Sequence, residues 1–164
     1  MKVSYKEGKI SITGFNPVEA YKISCKIEKQ GIEFYAKLLK KNFDAATNEI
    51  MKFLLFEEEA HLKLFEEKLL EAKQTLEDGF EEDSVFDYVD AKIFYPFDAI
   101  AELDKALKNR EKAIRLGIKI ENNSIAFYEA CLLGAKEKDT KDDLKWLISQ
   151  ENQHLSKLQE LLKQ

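Results

Sequence analysis

A glutamate and a histidine three residues apart, Glu58 and His61, lie within the sequence FEEEAHLKLF at positions 56–65. On an α-helix this spacing separates two side chains by about 60° around the axis and ~4.5 Å along it, so a carboxylate and an imidazole can reach one cation. Met51, Leu54 and Phe65 recur around the pair at helical spacing. Glu58 and His61 are therefore predicted to lie on the buried stripe of a helix.

A second inward glutamate is predicted earlier in the chain. Glu28 lies on an apolar stripe with Cys25 and Tyr35. Burying a lone carboxylate costs several kcal/mol, so an inward glutamate needs a partner. By contrast, Glu57 and Glu59 point about 100° to either side of Glu58, and we expect both to face solvent.

An internal repeat supplies the partners. KIEKQGIEFY matches KIENNSIAFY, and FEEEAHL matches SQENQHL, at one constant offset: 121 − 28 and 151 − 58 both equal 93. Each half therefore carries one inward glutamate on its first helix and Glu-x-x-His on its second. If the halves pack together, six side chains can converge: Glu28, Glu58, His61, Glu121, Glu151 and His154. Four carboxylates and two imidazoles are the ligands of a di-iron or di-manganese site in a four-helix bundle.

Two tyrosines follow the inward glutamates by seven residues. Tyr35 and Tyr128 fall on the same stripes as Glu28 and Glu121. They can be plain core residues, or their phenols can hydrogen-bond a ligand carboxylate, which makes them our candidates for catalytic residues. We interpret Cys25 as a small buried hydrophobe.

The distribution of Pro, Gly and apolar residues predicts an all-α fold in a single domain. We expect a four-helix bundle of two helix-pair repeats joined by a long crossover. The predicted parts are an extended N-terminal arm (1–16), a first helix pair (17–76), a connector (77–97) and a second helix pair (98–164). Within these, Asn16 caps the first helix, residues 10–13 are an edge strand or a tail, and the third helix begins at 97 or somewhat later. The aromatic connector either makes a dimer contact or packs over its own bundle.

Composition excludes several partners. A chain of 164 residues with 45% apolar content can bury one sizeable core. Its net charge of −5, without a Lys/Arg-rich block, argues against nucleic acid. No segment approaches the ~20 apolar residues of a membrane span, so we expect a cytoplasmic protein. Two distant cysteines form neither a disulfide framework nor a Cys-x-x-Cys pair, so any metal is held mainly by oxygen and nitrogen.

From about residue 17 to 164 the chain resembles the ferritin-like superfamily, and within it the di-iron domain of rubrerythrin-type proteins. The resemblance rests on the six candidate ligands and their IE…FY surroundings. It implies that Glu58 and Glu151 bridge two metal ions. It also implies that Glu28 and His61 complete one ion and that Glu121 and His154 complete the other. The implied activity is an oxidoreductase that acts on peroxide or dioxygen.

The chain departs from these relatives in three respects. It has no cysteines for a rubredoxin module, so we expect electrons from a separate donor protein. Ile118 and Ser124 flank Glu121 where relatives tend to place a further ligand glutamate, so the site is the symmetric six-ligand kind that also resembles bacterioferritin. The haem-ligating methionine of that family would stand where this chain has Glu59, so no haem is expected.

Two functions remain open at this stage. The first is a rubrerythrin-like peroxidase, expected as a homodimer with two Fe ions, although Mn suits the same ligands. The alternative is a ferroxidase or iron-storage protein of the ferritin and bacterioferritin type, which would assemble many subunits.

Overall fold

Four long helices make up most of the computed structural model, which describes residues 1–6, 9–74, 103 and 106–163. The helices are α1 (Pro17–Leu39), α2 (Ala45–Gln74), α3 (Arg110–Gly134) and α4 (Lys138–Leu161). The short connections 40–44 and 135–137 make α1–α2 and α3–α4 antiparallel pairs. Across the pairs, α2 contacts α4 and α1 contacts α3, which is compatible with a four-helix bundle. The predicted crossover connector lies outside the described residues.

Polar caps explain where α1 and α3 begin. The Asn16 side chain accepts a hydrogen bond from the Glu19 backbone N–H (3.1 Å), which confirms the predicted cap, and Pro17 occupies the first turn. Asn109 caps α3 in the same way through the Lys112 N–H (2.9 Å). Each such cap is worth about 1 kcal/mol of stability. Because Asn109 is the N-cap residue, α3 starts at Arg110.

The N-terminal arm is a two-stranded antiparallel sheet. Strand β1 (Lys2–Lys6) pairs with β2 (Lys9–Thr13), with Val3 opposite Ile12. The residues predicted as an edge strand or a tail therefore form a strand. Val3 is buried in the core, and β2 contacts α3. The arm thus covers one end of the bundle.

One arginine connects three helix ends at the other end of the bundle. Asp44 caps the start of α2, since its carboxylate accepts from the Thr47 N–H (2.8 Å). Arg110 Nε donates to the same carboxylate (2.8 Å), and its guanidinium also donates to the Leu161 carbonyl (3.2 Å). The starts of α2 and α3 are therefore held beside the end of α4.

The apolar core consists of two clusters that leave a gap halfway along every helix. On α1, residues 20–27 belong to the first cluster and residues 34–38 to the second. On α4, residues 144–147 belong to the first and residues 158–161 to the second. Apart from Glu19, which pairs with the N-terminal amine, the buried charged residues of the four helices fall between these segments, at the middle of the core.

No helix in the described part of the chain has both the length and the apolar character needed to cross a membrane.

Candidate metal centre

The six predicted ligands converge at the polar middle of the core. Glu58 is 4% exposed, and each of the other five is 1% exposed. The helical stripes explain this burial, because each ligand lies on the side of its helix that carries the apolar core. Each of the four helices contributes one or two of the ligands: Glu28 is on α1, Glu58 and His61 are on α2, Glu121 is on α3, and Glu151 and His154 are on α4.

The ligands divide into two groups, each with its ligand atoms within 4.8 Å of one another. One group is Glu28, Glu58, His61 and Glu151, and the other is Glu58, Glu121, Glu151 and His154. Either group could hold a metal ion. Glu58 and Glu151 belong to both groups, whereas each histidine belongs to one of them.

The imidazoles face the carboxylates through Nδ1. His61 Nδ1 lies 3.3 Å from Glu151 Oε1 and 3.5 Å from Glu28 Oε2. His154 Nδ1 lies 3.3 Å from Glu151 Oε2 and 3.8 Å from Glu121 Oε2. The two rings are stacked, with centroids 5.3 Å apart. Glu151 therefore stands between the two imidazoles.

The two tyrosines make reciprocal contacts between the helix pairs. The Tyr35 hydroxyl donates to Glu121 Oε1, and the Tyr128 hydroxyl donates to Glu28 Oε1. Both phenols are fully buried. Burial, followed by the charge of the neighbouring glutamate, raises the pKa of each phenol well above its ordinary value. Each tyrosine therefore keeps its proton at neutral pH and orients one carboxylate.

Many ligand atoms lack a hydrogen-bond partner although they are buried. These atoms are Glu28 Oε2, both oxygens of Glu151, and both ring nitrogens of His61 and His154. An unpaired buried polar group costs about 1–3 kcal/mol, and more if it is charged. Such a cluster is unfavourable by itself, whereas a cation would satisfy these lone pairs. The donor set therefore fits a bound metal ion.

Crowding of the carboxylates shifts their proton equilibria in different directions. Burial, and then the negative charges of Glu28 and Glu151, raise the pKa of Glu58 well above its ordinary value. Burial also raises the pKa of Glu121 to about 8, despite a contact with His154 that lowers it. Burial opposes ionisation of Glu151 too, but its contacts with both imidazoles outweigh that effect and lower its pKa.

The histidines hold protons firmly when no cation competes with them. Burial disfavours their charged forms, but contacts with Glu151 and Glu28 outweigh it and raise the pKa of His61 to about 9. Contacts with Glu121 and Glu151 likewise raise the pKa of His154 to about 10. A metal ion must displace these protons, so binding should release them and strengthen as the pH rises.

A glycine leaves room for one of the shared carboxylates. A Cβ atom built on Gly31 of α1 would lie 3.0 Å from Glu58 Oε1. The repeat has Ser124 at the corresponding position, and its side chain is buried and bonds to the Ile120 carbonyl (3.2 Å). The surroundings of the two halves of the site are therefore not identical.

Glu57 departs from the sequence prediction. Glu59 is exposed as expected, but Glu57 is only half-exposed. Its carboxylate forms a third possible metal-holding group with a ring nitrogen of His61 and one of His154, again within 4.8 Å. The helical angle places the Glu57 backbone toward solvent, but its side chain is long enough to reach the histidines. The remaining candidate, Cys25, is a buried free thiol whose pKa burial raises to about 11, as expected for a core residue.

Comparison of the chain with protein families, with curated proteins and with solved structures gave no match. Its function must therefore be inferred from the chemistry of the buried side chains.

Proposed function

We propose that this chain is a rubrerythrin-like di-iron carboxylate oxidoreductase that reduces hydrogen peroxide with electrons from a separate donor protein. The observation that carries the proposal is the presence of Glu58 and Glu151 in both four-residue ligand groups. Carboxylates that can serve two cations at once are the means by which bundle proteins hold a metal pair. The sequence resemblance to the ferritin-like superfamily supports the same assignment.

In this proposal Glu58 and Glu151 would be shared by the two ions. Glu28 and His61 would hold one ion, and Glu121 and His154 would hold the other. Four carboxylates balance the charge of two divalent cations, and neutral imidazoles leave that balance unchanged. Iron is the proposed metal, although manganese suits the same donors, and no haem is proposed.

When bound, a pair of ferrous ions supplies two electrons, which together with two protons convert one hydrogen peroxide into two water molecules. The protein's own residues hold the ligands in place for this reaction. Tyr35 and Tyr128 each donate to one oxygen of Glu121 and Glu28, and the second oxygen of Glu28 has no hydrogen-bond partner that would compete with a cation. Because the pKa of both phenols is raised, they remain donors throughout the neutral range.

Rapid mixing of the loaded protein with each oxidant tests this function. The purified apoprotein is loaded anaerobically with two equivalents of ferrous iron and mixed with hydrogen peroxide or with dioxygen. The proposal predicts that peroxide oxidises the iron faster by orders of magnitude. The double variant Glu28→Ala/Glu121→Ala measures the background from unbound iron.

If dioxygen oxidised the iron as fast as peroxide, and further iron were then taken up, the protein would instead be a ferroxidase or iron-storage protein. Assembly size separates the two functions independently. Sedimentation as a homodimer agrees with the peroxidase, whereas a storage shell requires a particle of many subunits.

A further inference from the structure

The two histidines connect the buried centre to a third ligand group at its margin. His61 belongs to one buried four-residue group and His154 to the other, but both also belong to the group with Glu57. An ion held beside Glu57 could therefore pass to either buried group without losing contact with an imidazole.

The ring nitrogens of both histidines are available to bind an ion in the group with Glu57. Their contacts with the buried carboxylates all involve Nδ1. Nε2 of His61 and Nε2 of His154 have no hydrogen-bond partner, although each residue is 1% exposed. Unpaired nitrogens at such depth carry a desolvation cost that a cation would relieve. These nitrogens are a second indication of a ligand, separate from the grouping itself.

Aromatic side chains border the histidines on the side that reaches solvent. The Trp146 ring lies edge-to-face with His61, with centroids 5.7 Å apart, and Phe53 lies in the same way with His154 at 6.3 Å. Trp146 is 48% exposed and Phe53 36% exposed. The imidazoles therefore lie directly beneath surface residues of α2 and α4. Glu57, also on α2, is half-exposed and can meet a hydrated cation there.

The group with Glu57 has no charged counterpart in the other half of the repeat. Phe53 and Trp146 occupy corresponding positions of the two halves, since 146 − 53 is also 93. Glu57 corresponds to Gln150, which has no charge. The group with Glu57 thus has one carboxylate where a symmetric arrangement would have two.

We propose that Glu57, His61 and His154 form a loading site, through which divalent cations reach the buried centre. The inference rests on the proposed two-metal function. In it, Glu57 captures the ion from solvent and the histidines pass it inward. Glu57 then has no permanent place in the loaded centre. A group with this role changes the rates of loading and release by the same factor and leaves the equilibrium affinity unchanged.

Glu57→Gln tests the loading site, since it removes the charge and installs the residue that the repeat already has at 150. Glu59→Gln is the matched control, with the same loss of charge on a neighbouring exposed residue. Co²⁺ alone is the probe. Loading is followed by stopped-flow absorbance, release by capture with a chelator, and stoichiometry by titration.

We expect Glu57→Gln to bind two Co²⁺ per chain with unchanged affinity, but to load and release them roughly tenfold more slowly, at the lower end of the 10–1,000-fold effect that a favourable charge has on association rates. Glu59→Gln should load like the wild-type protein. Unchanged rates in Glu57→Gln, or equal slowing in both variants, would overturn the loading site while leaving the two-metal centre intact.

Two further results would also count against it. Loss of one Co²⁺, or weaker affinity at an unchanged loading rate, would make Glu57 a permanent ligand or an orienting group. Failure of the wild-type protein to bind two Co²⁺ would instead reject the two-metal centre, and the loading site with it.

Discussion

Removing the hydroxyl of Tyr128 should weaken both the fold of the apoprotein and its metal binding. In Tyr128→Phe, Glu28 Oε1 loses its donor, and Glu28 Oε2 already has none. A hydrogen bond to a charged group contributes about 1.5–3 kcal/mol. For a chain of this size, 1 kcal/mol shifts the Tm by about 2–4 °C, so the Tm of the apoprotein should fall by roughly 3–12 °C.

Metal affinity should fall as well, because the variant leaves a proposed ligand without its orienting partner. Loss of such a partner weakens metal binding by about 10–100-fold. Calorimetric titration with Mn²⁺ measures this change. Tyr21→Phe is the control, since Tyr21 is buried and bonds to Thr140 rather than to a carboxylate of the centre. If Tyr128→Phe weakened Mn²⁺ binding no more than Tyr21→Phe does, the reasoning about the tyrosines would be refuted.

Three other perturbations test separate parts of the account. Glu28→Ala with Glu121→Ala should abolish stoichiometric metal binding, and unchanged metal content after dialysis would reject the site. Gly31→Ala places a Cβ 3.0 Å from Glu58 Oε1, so it should disturb this ligand and weaken Mn²⁺ binding about tenfold. Gly117→Ala is the control, because its Cβ would meet core side chains instead, and it should leave Mn²⁺ binding unchanged. In the apoprotein, the histidine pKa values are raised from 6.5 to about 9 and about 10, so the stability they contribute is complete below pH 6.5 and is lost as the pH rises through 9–10. Melting temperatures should therefore fall from pH 6.5 to 10 in the apoprotein and fall less in the metal-loaded protein; parallel curves would contradict the pKa shifts.

Much of the fold could be predicted because its signals are local. Asn16 and Pro17 mark the start of α1, and the first helix pair begins at residue 17 as predicted. The Asn109 cap of α3 was not predicted, because apolar residues continue at helical spacing before it. The pairing of β1 with β2 was not predicted, although KVSYK and KISIT both alternate and are separated by only two residues, Glu7 and Gly8, which is the commonest length of a hairpin loop.

The buried centre could be predicted because the repeat provides the same information twice. One Glu-x-x-His pair can belong to a solvated surface, but two pairs and two inward glutamates at one offset must meet if the helix pairs face each other. Glu57 could not be found in this way, because its position in the repeat is occupied by Gln150. Glu57 lies near the histidines because its side chain extends across the α2–α4 contact. The angular position of a residue on its helix does not reveal how far its side chain extends.

An anaerobic titration of the apoprotein with ferrous iron, with bound and free iron separated at each step, tests the central claim most directly. The account predicts tight uptake that ends at two ions per chain and is absent from Glu28→Ala/Glu121→Ala. Uptake that ends at one ion per chain, or uptake that the double variant retains, would contradict a centre built on shared Glu58 and Glu151.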